Sequence, residues 1–330
     1  MSEKIRIGIV GYGNLGRGAE LAVLQNPDME LIAVFTRRDP KLIRVSTEKV
    51  KVLPAKQAEK MINEIDVMIL CGGSARDLPE QGPYFAQMFN TVDSFDTHAR
   101  IPEYFAAMDK AAMAGKKTGI ISIGWDPGLF SLQRMLAEAI LPQGKEYTFW
   151  GRGVSQGHSD AIRKVPGVKY GVQYTIPKED AVTRVRRGET PHLSAGDKHL
   201  RQCYVVAEED ADKEKIAAEI KSMPNYFADY ETQVIFITEE QFKQEHTKMP
   251  HGGFVLRSGI TGSNREHKQL MEFSLKLESN PEFTASVLVA YARAAYRLSG
   301  EGRYGAKTIF DIPLAYISPR SPAELRRELL

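Results

Sequence analysis

The segment IRIGIVGYGNLG, residues 5–16, decides the fold of this chain. Its apolar beginning is typical of a buried parallel strand, and it continues directly into the motif GxGxxG, which consists of Gly11, Tyr12, Gly13, Asn14, Leu15 and Gly16. The first glycine permits a tight turn, the second admits a pyrophosphate close to the backbone, and the third lets the next helix pack on the strand. A second apolar strand follows at residues 31–35. The pattern predicts a Rossmann-type dinucleotide-binding domain. The alternative is a glycine turn in another kind of α/β protein.

The end of the second predicted strand selects the cofactor. Sites for NAD usually place Asp or Glu there to bind the ribose 2′-hydroxyl, but this chain has Thr36, Arg37 and Arg38, and Asp39 comes one position too late. An arginine suits a phosphate because its planar fork donates paired hydrogen bonds and stays charged. The sequence therefore favours NADP. The alternative is that the two arginines form a solvated surface pair.

Three further predicted strands end in residues suited to a ligand. A loop of small residues, namely Cys71, Gly72, Gly73, Ser74 and Ala75, follows the strand at 66–70. Asp96 follows the strand at 91–95, and Asp126 follows the strand at 117–123. Ligands of open α/β sheets bind at the carboxyl ends of strands, so the loop is a candidate cofactor contact and the two acids are candidate functional groups. A plain tight turn and two helix caps are the alternatives.

The composition bounds the class of protein. A chain of 330 residues suggests two domains, and the balance of 44 Lys and Arg against 42 Asp and Glu does not indicate a nucleic-acid partner. We find no apolar run long enough to span a bilayer. Cys71 and Cys203 are the two cysteines, and their spacing matches no metal site. We expect a cytoplasmic protein with reduced thiols, no metal and no membrane partner.

After about residue 148, strands and helices no longer follow a strict βαβ order, which predicts an α+β second domain. We expect a dinucleotide-binding domain at 1–124, a substrate-binding and dimerisation domain at 125–280, and a C-terminal part at 281–330 that returns to the first domain. The second domain is unusually rich in polar candidates: Trp150, Gln156, His158, Thr175, Arg201 and the segment 249–253, expected to be a loop. Signatures of hydrolase nucleophiles and of zinc proteases do not occur, which fits chemistry carried by a cofactor.

Besides the glycine motif, five segments are distinctive: SIGWDPG at 122–128, TFWG at 148–151, SQGHSD at 155–160, MPHGG at 249–253 and LESNPEFTA at 277–285. Together with the glycine motif, they resemble the meso-diaminopimelate D-dehydrogenase family. These segments are family-specific, unlike GxGxxG, and the resemblance covers essentially the whole chain.

The resemblance implies reversible, NADP-dependent oxidative deamination of the D-centre of meso-2,6-diaminopimelate to L-2-amino-6-oxopimelate and ammonia, in lysine biosynthesis. It places Asp96 and Asp126 near the reacting D-centre, with Trp150 and the loop of Gln156 and Gly157 around the amine and carboxylate of that centre. The remaining matching positions hold the distal L-centre: Thr175, Arg201, His251 and Asn280. It also implies a homodimer built through the second domain.

Two other classes of function are alternatives for this sequence. Another NADP-dependent oxidoreductase of amino-acid metabolism is the enzymatic alternative, but a dihydrodipicolinate reductase would be shorter. A semialdehyde dehydrogenase would need a nucleophilic cysteine, for which neither Cys71 nor Cys203 has a suitable context. The non-enzymatic alternative is an NADP sensor, which would bind the cofactor without turnover.

Overall fold

The computed structural model of the chain describes residues 3–330. It separates into two compact units. Unit 1 comprises the chain up to Leu132 together with Pro281–Leu330, and unit 2 comprises Gln133–Asn280. No helix within the described part of the chain is long and apolar enough to cross a membrane.

Unit 1 is built on a parallel sheet of seven strands. The strands are β1 (Ile5–Val10), β2 (Met29–Thr36), β3 (Lys51–Pro54), β4 (Val67–Leu70), β5 (Asn90–Asp93), β6 (Thr118–Ile120) and β14 (Gly305–Lys307). Their order across the sheet is β3-β2-β1-β4-β5-β6-β14. The first six follow the order of the doubly wound dinucleotide fold, in which ligands lie outside the carboxyl ends of the strands. The C-terminal strand extends this sheet by pairing with β6.

The helices within unit 1 are α1 (Asn14–Leu24), α2 (Leu78–Ala86), α3 (Ile101–Gly115) and α11 (Pro322–Leu329). Two more helices cross a boundary of the units along the chain: α4 (Leu129–Ile140) and α10 (Asn280–Gly300). Short 3₁₀ segments cover Pro40–Leu42, Ala55–Met61, His98–Arg100, Ile309–Asp311 and Leu314–Ile317. Residues 55–64, whose sequence predicts a helix, form a 3₁₀ segment that ends at Met61. Helix α2 was not predicted because Pro83 lies inside it, where a proline normally disfavours a helix.

Unit 2 contains two smaller sheets. Its strands are β7 (Gly144–Trp150), β8 (Gly153–Val154), β9 (Val168–Pro177), β10 (His199–Ala207), β11 (Glu231–Phe236), β12 (His251–Thr261) and β13 (His267–Leu277). One sheet has the order β11-β10-β9-β8 and the other the order β13-β12-β7. Its helices are α5 (Gln156–Ile162), α6 (Glu179–Arg186), α7 (Ala195–Lys198), α8 (Lys213–Ser222) and α9 (Glu239–Glu245). The predicted fold class, a Rossmann-type domain with an α+β companion, is confirmed.

Two expected loops of unit 2 belong to regular elements instead. Gln156 and Gly157 form the first turn of α5. His251 and the glycine pair after it begin β12, which pairs with β13 on one side and β7 on the other. A Cβ at Gly252 would lie 2.1 Å from the Leu275 carbonyl oxygen, and one at Gly253 2.1 Å from that of Phe149. These glycines therefore let neighbouring strands approach, whereas a loop beside a ligand was expected.

Candidate functional site

The glycine turn of unit 1 has the geometry that its motif predicts. Gly11 has a φ of +89°. A Cβ at Gly16 would lie 2.1 Å from the Gly11 carbonyl oxygen, so a side chain there would push α1 off the turn. At Gly13 an added Cβ meets no protein atom within 4 Å. The protein packing thus requires glycine at Gly16 but not at Gly13, where the bare backbone leaves room for a phosphate group.

A cavity of about 270 Å³ opens beside this turn. The backbone at Gly11–Gly13 forms one wall, and Thr36, Arg37 and Arg38 from the end of β2 form another. The Arg38 guanidinium donates to the Tyr12 carbonyl, and the Arg38 N–H donates to Thr36 Oγ1 at 3.0 Å. Both predicted cationic residues therefore lie at the cavity, as a site for a nucleotide with an extra phosphate requires.

Two carboxylates, those of Asp77 and Glu20, bind residues around this cavity. Arg37, which is largely exposed, forms an ion pair of 2.8 Å with Asp77. The Tyr12 hydroxyl donates to the buried carboxylate of Glu20. Glu20 also accepts the backbone N–H groups of Ser46 and Thr47, at 2.7 and 2.6 Å. This carboxylate attaches the segment before β3 to the glycine turn, and the sequence analysis did not single it out.

The small-residue loop after β4 has two roles in the structure. Cys71 and Gly72 line the same cavity as the glycine turn, and the Gly73 N–H donates to Asp77 at 2.9 Å. Ser74, predicted as a cofactor contact, accepts the backbone N–H groups of Asp96 and Thr97 with its Oγ, at 2.8 and 3.1 Å. Ala75 lies in the turn that follows. Burial raises the pKa of the Cys71 thiol to about 12, so it does not serve as a thiolate nucleophile.

The two predicted acids both lie in unit 1, in turns that follow neighbouring strands. Asp96 follows β5 and is exposed, and Asp126 follows β6 and is half-buried. The turn at 124–128 is closed by the Leu129 N–H on the Gly124 carbonyl at 3.0 Å and by the Phe130 N–H on the Trp125 carbonyl at 2.8 Å. Because β5 and β6 are parallel and paired, both carboxylates lie at the carboxyl edge of one sheet.

In unit 2, Arg201 and Thr175 are direct partners on the antiparallel strands β10 and β9. The guanidinium donates to Thr175 Oγ1 and lies over the Tyr230 ring, 4.0 Å from its centroid. Arg201 is only 8% exposed, its Nε has no hydrogen-bond partner, and no Asp or Glu within residues 3–330 pairs with it. Burial lowers the pKa of this guanidinium. A buried guanidinium that has no carboxylate partner is suited to an anionic ligand.

Thr175 has its hydroxyl oriented by the protein. Its Oγ1 accepts from Arg201 and from Gln173 Nε2 at 3.3 Å. With both acceptor sites occupied, the hydroxyl proton is the group left to donate to a ligand. Gln173 is fully buried and was not predicted as part of the site.

His251 and Asn280 lie near this pair. Gly153 on β8 is the register partner of Thr175, and a Cβ at Gly153 would lie 2.5 Å from the His251 ring. The Asn280 N–H donates to the Met249 carbonyl at 2.9 Å, two residues before His251. The structure therefore brings four predicted residues of unit 2, namely Thr175, Arg201, His251 and Asn280, to one end of its sheets.

Trp150 is held by a histidine that the sequence analysis missed. Its backbone N–H donates to His199 Nε2 at 2.8 Å, and the two rings stack with centroids 5.4 Å apart. Burial lowers the pKa of His199 to about 3, so the ring is neutral and able to accept this hydrogen bond. Gln156 contacts the same region through its Nε2, 3.2 Å from Met249 Sδ, while Gly157 is exposed on the first turn of α5.

His158, a further candidate, is a supporting residue. Burial, with a smaller contribution from nearby Arg201, lowers its pKa to about 4. Its Nδ1 lies 2.8 Å from Ser155 Oγ, and its ring packs edge-on against Phe227. Across the described residues no group of three or more His, Cys, Asp or Glu side chains is arranged to hold a metal ion.

Known proteins resemble this chain in sequence and in structure. The family model for the diaminopimelic acid dehydrogenase C-terminal domain matches residues 124–279. A meso-diaminopimelate D-dehydrogenase from Ureibacillus thermosphaericus is 67% identical over 99% of both chains. The structure of the Corynebacterium glutamicum diaminopimelate dehydrogenase in complex with diaminopimelate is 45% identical, with a TM-score of 0.90 over 99% of each chain.

A third relative is an engineered D-amino acid dehydrogenase whose structure is bound to NADP⁺. It is 43% identical to this chain, with a TM-score of 0.85 over 99% of this chain and all of its own. Identity at these levels over the full length is far above what a shared fold alone would give. The chain belongs to the meso-diaminopimelate D-dehydrogenase family.

Proposed function

We propose that this protein catalyses the reversible, NADP-dependent oxidative deamination of meso-2,6-diaminopimelate at its D-centre, with L-2-amino-6-oxopimelate and ammonia as products. One observation in the structure carries the proposal: Arg201 is a buried cation without a carboxylate partner, seated beside a threonine hydroxyl that is free to donate. A substrate carboxylate supplies the missing charge. The relatives named for this activity, one of them in complex with diaminopimelate, support the substrate.

The substrate has two amino-acid ends of opposite chirality, so selecting one end requires recognition of the other. We assign the L-centre to unit 2. Arg201 takes the carboxylate in a two-point contact, the Thr175 hydroxyl donates to it, and His251 and Asn280 add directional contacts. Binding energy gained at this remote end also orients the reacting carbon.

We assign the D-centre to Asp96 and Asp126, with Trp150, Gln156 and Gly157 around its amine and carboxylate. Hydride leaves the α-carbon as the nitrogen lone pair forms the iminium, so the ammonium group must first lose a proton. The carboxylates of Asp96 and Asp126 supply the proton acceptor for that step and then orient the water that attacks the iminium. Hydrolysis releases ammonia and leaves the ketone.

The residues of unit 1 fit NADP. The bare backbone at Gly13 and the N-terminus of α1 suit the pyrophosphate, and Arg37 and Arg38 at the same cavity suit the 2′-phosphate. The backbone at Asn14 and Leu15, in the first turn of α1, belongs to the same cradle. When bound, the nicotinamide accepts the hydride. The relative bound to NADP⁺ supports this cofactor.

One competing function, that of a semialdehyde dehydrogenase, loses support in the structure. Burial raises the pKa of both cysteine thiols to about 12, which disfavours the nucleophile that a semialdehyde dehydrogenase needs. The homodimer, the cytoplasmic location and the absence of nucleic-acid and membrane partners stay predictions from the sequence.

A direct assay tests the proposal. The protein is mixed with NADP⁺ and meso-diaminopimelate at alkaline pH, and absorbance near 340 nm is followed. We expect NADPH formation with the meso isomer and at most a trace with the L,L isomer, which lacks a D-centre. Binding of NADP⁺ without turnover would instead identify a sensor, and equal rates with both isomers would remove the stereochemical assignment.

A further inference from the structure

A fully buried carboxylate, Asp93, lies at the end of β5 between the two acid-bearing turns. Its Oδ1 accepts two backbone N–H groups, from Phe95 at 3.0 Å and from Ser122 at 3.2 Å. Phe95 directly precedes Asp96, and Ser122 begins the segment that leads to Asp126. One oxygen atom thus joins the backbone of both segments.

The other oxygen atoms of Asp93 also have hydrogen-bond partners. Its carbonyl oxygen accepts the Ile123 N–H at 2.9 Å. Its Oδ2 accepts the Tyr104 hydroxyl at 2.7 Å, and the Tyr104 ring stacks on Phe95 with centroids 4.1 Å apart. Ser122 also has a φ of +57°, a backbone conformation that residues other than glycine rarely adopt. A specific partner on its N–H is what such a residue needs to keep that conformation.

We propose that Asp93 is a positioning residue for the deamination: its carboxylate sets the spacing of the turns that carry Asp96 and Asp126. Asp93 itself does not contact the substrate in this assignment. Burial raises its pKa to about 6, while the three hydrogen bonds that it accepts oppose this shift. At the alkaline pH of the assay it is therefore ionised, the form that accepts hydrogen bonds most strongly. The proposal rests on the proposed function, because the positioned groups are the acids assigned to the D-centre.

Three substitutions separate positioning from bulk stability. Asp93→Val keeps a residue suited to a strand but removes both acceptor oxygens. Asp93→Asn keeps an oxygen for the Phe95 and Ser122 N–H groups. Tyr104→Phe is the matched control, because it removes one buried hydrogen bond to Asp93 and leaves both backbone contacts in place. For each variant, kcat with meso-diaminopimelate is divided by the number of NADP⁺ sites found by titration, and the melting temperature is recorded.

We expect Asp93→Val to lower kcat per NADP⁺ site by about 100-fold, with the Kd for NADP⁺ within threefold of the parent, since a misplacement of about 1 Å costs that much in rate. Asp93→Asn should restore kcat to within about fivefold. Tyr104→Phe should lower the melting temperature while leaving kcat within threefold. If Asp93→Val yields no protein that binds NADP⁺, Asp93→Ser takes its place with the same criteria, since its short side chain cannot reach both N–H groups.

The proposal is wrong if kcat per site stays within threefold of the parent without the carboxylate. It is also wrong if Tyr104→Phe loses as much kcat as Asp93→Val, because the loss would then follow stability, or if Asp93→Asn is as slow as Asp93→Val. A parent protein without activity on meso-diaminopimelate would refute the proposed function instead, so the two failures are distinguishable.

Discussion

The acid-bearing turns of unit 1 and the Arg201–Thr175 pair of unit 2 hold charged groups in opposite ways. Asp96 and Asp126 sit in turns whose backbone N–H groups are fixed by Ser74 and Asp93. Arg201 projects from a paired strand, is buried, and keeps an unpaired Nε. The turns are stabilised by the contacts that position them, whereas the arginine is buried without a carboxylate partner. In the proposed function, the fixed turns serve the chemistry and the uncompensated charge of Arg201 serves substrate recognition.

The largest effect should come from removing a carboxylate from the turns. Asp126→Ala should lower kcat by about 1,000-fold, the scale of a lost general acid or base, because one of the two proposed proton acceptors for the ammonium would be lost. The Kd for NADP⁺, measured by fluorescence titration, should stay within threefold. Asp96→Ala, assayed alongside, shows how the two acids divide the proton transfer. Full turnover in Asp126→Ala would mean that this carboxylate takes no part in it.

Arg201→Met should lower kcat/KM for meso-diaminopimelate by about 100-fold, because the carboxylate at the L-centre loses its two-point contact. The stability of the folded protein should not fall with the activity. Replacing a buried, uncompensated charge with an apolar side chain is neutral or stabilising, so the melting temperature should be unchanged or higher. Arg201→Lys is the control, since it keeps the charge but not the planar fork. Near-normal kcat/KM in Arg201→Met, or a marked loss of stability, contradicts the contrast with unit 1.

The cavity at the end of β2, which we propose binds the 2′-phosphate, extends the comparison within unit 1. Replacing Arg37 and Arg38 together with Ala should weaken NADP⁺ binding by about 30-fold, as expected for two lost charge-assisted contacts. Affinity for NAD⁺ should change by less than threefold, because NAD⁺ lacks the 2′-phosphate. Calorimetric titration of both cofactors measures the ratio. An equal loss for the two cofactors would remove the assignment of these arginines to the phosphate.

A last prediction concerns stability, not turnover or binding, at His199, which holds Trp150 in unit 2. Its folded-state pKa of about 3 lies below the usual 6.5, so its neutral form contributes stability above pH 6.5 that is lost as the pH falls toward 3. His199→Gln keeps an acceptor for the Trp150 N–H but does not titrate. Between pH 7 and pH 4 the parent should lose about 3 kcal/mol more unfolding free energy than the variant. Urea unfolding followed by tryptophan fluorescence tests this, and parallel pH profiles would exclude a buried neutral ring.

Much of unit 1 could be predicted from the sequence, because its candidate site residues lie close along the chain to the strands that position them. The glycine turn, the arginines after β2 and the acids after β5 and β6 each follow directly from a strand, and parallel strands place such residues at one edge. Helix α2 was not predicted because Pro83 lies inside it and disfavours a helix. The role of Asp93 was not predicted because it ends a buried strand, where the sequence pattern does not distinguish an acid from its neighbours.

The candidate site of unit 2 was harder to predict from the sequence, because it depends on which residues of neighbouring strands pair with each other. Arg201 meets Thr175 only through the pairing of β10 with β9, and sequence patterns do not specify which residues of two strands face each other. The pair was found through family resemblance. His199 and Gln173 were missed, since neither lies in a motif and each acts by supporting a neighbour. A histidine and a glutamine within strand-forming runs are the signals that could have indicated them.

The pairing of Arg201 with Thr175 across adjacent strands has a consequence for redesign. The ladder between the two strands is made by backbone atoms, so exchanging the two side chains together should leave the assembly of the sheet intact and, under the proposed assignment, change which substrate group binds there. A matched pair of β-branched apolar residues would suit the same pleat. Such a double exchange should turn an acceptor of charged substrate tails into one for uncharged tails, and this two-strand site is the natural first target for new substrates.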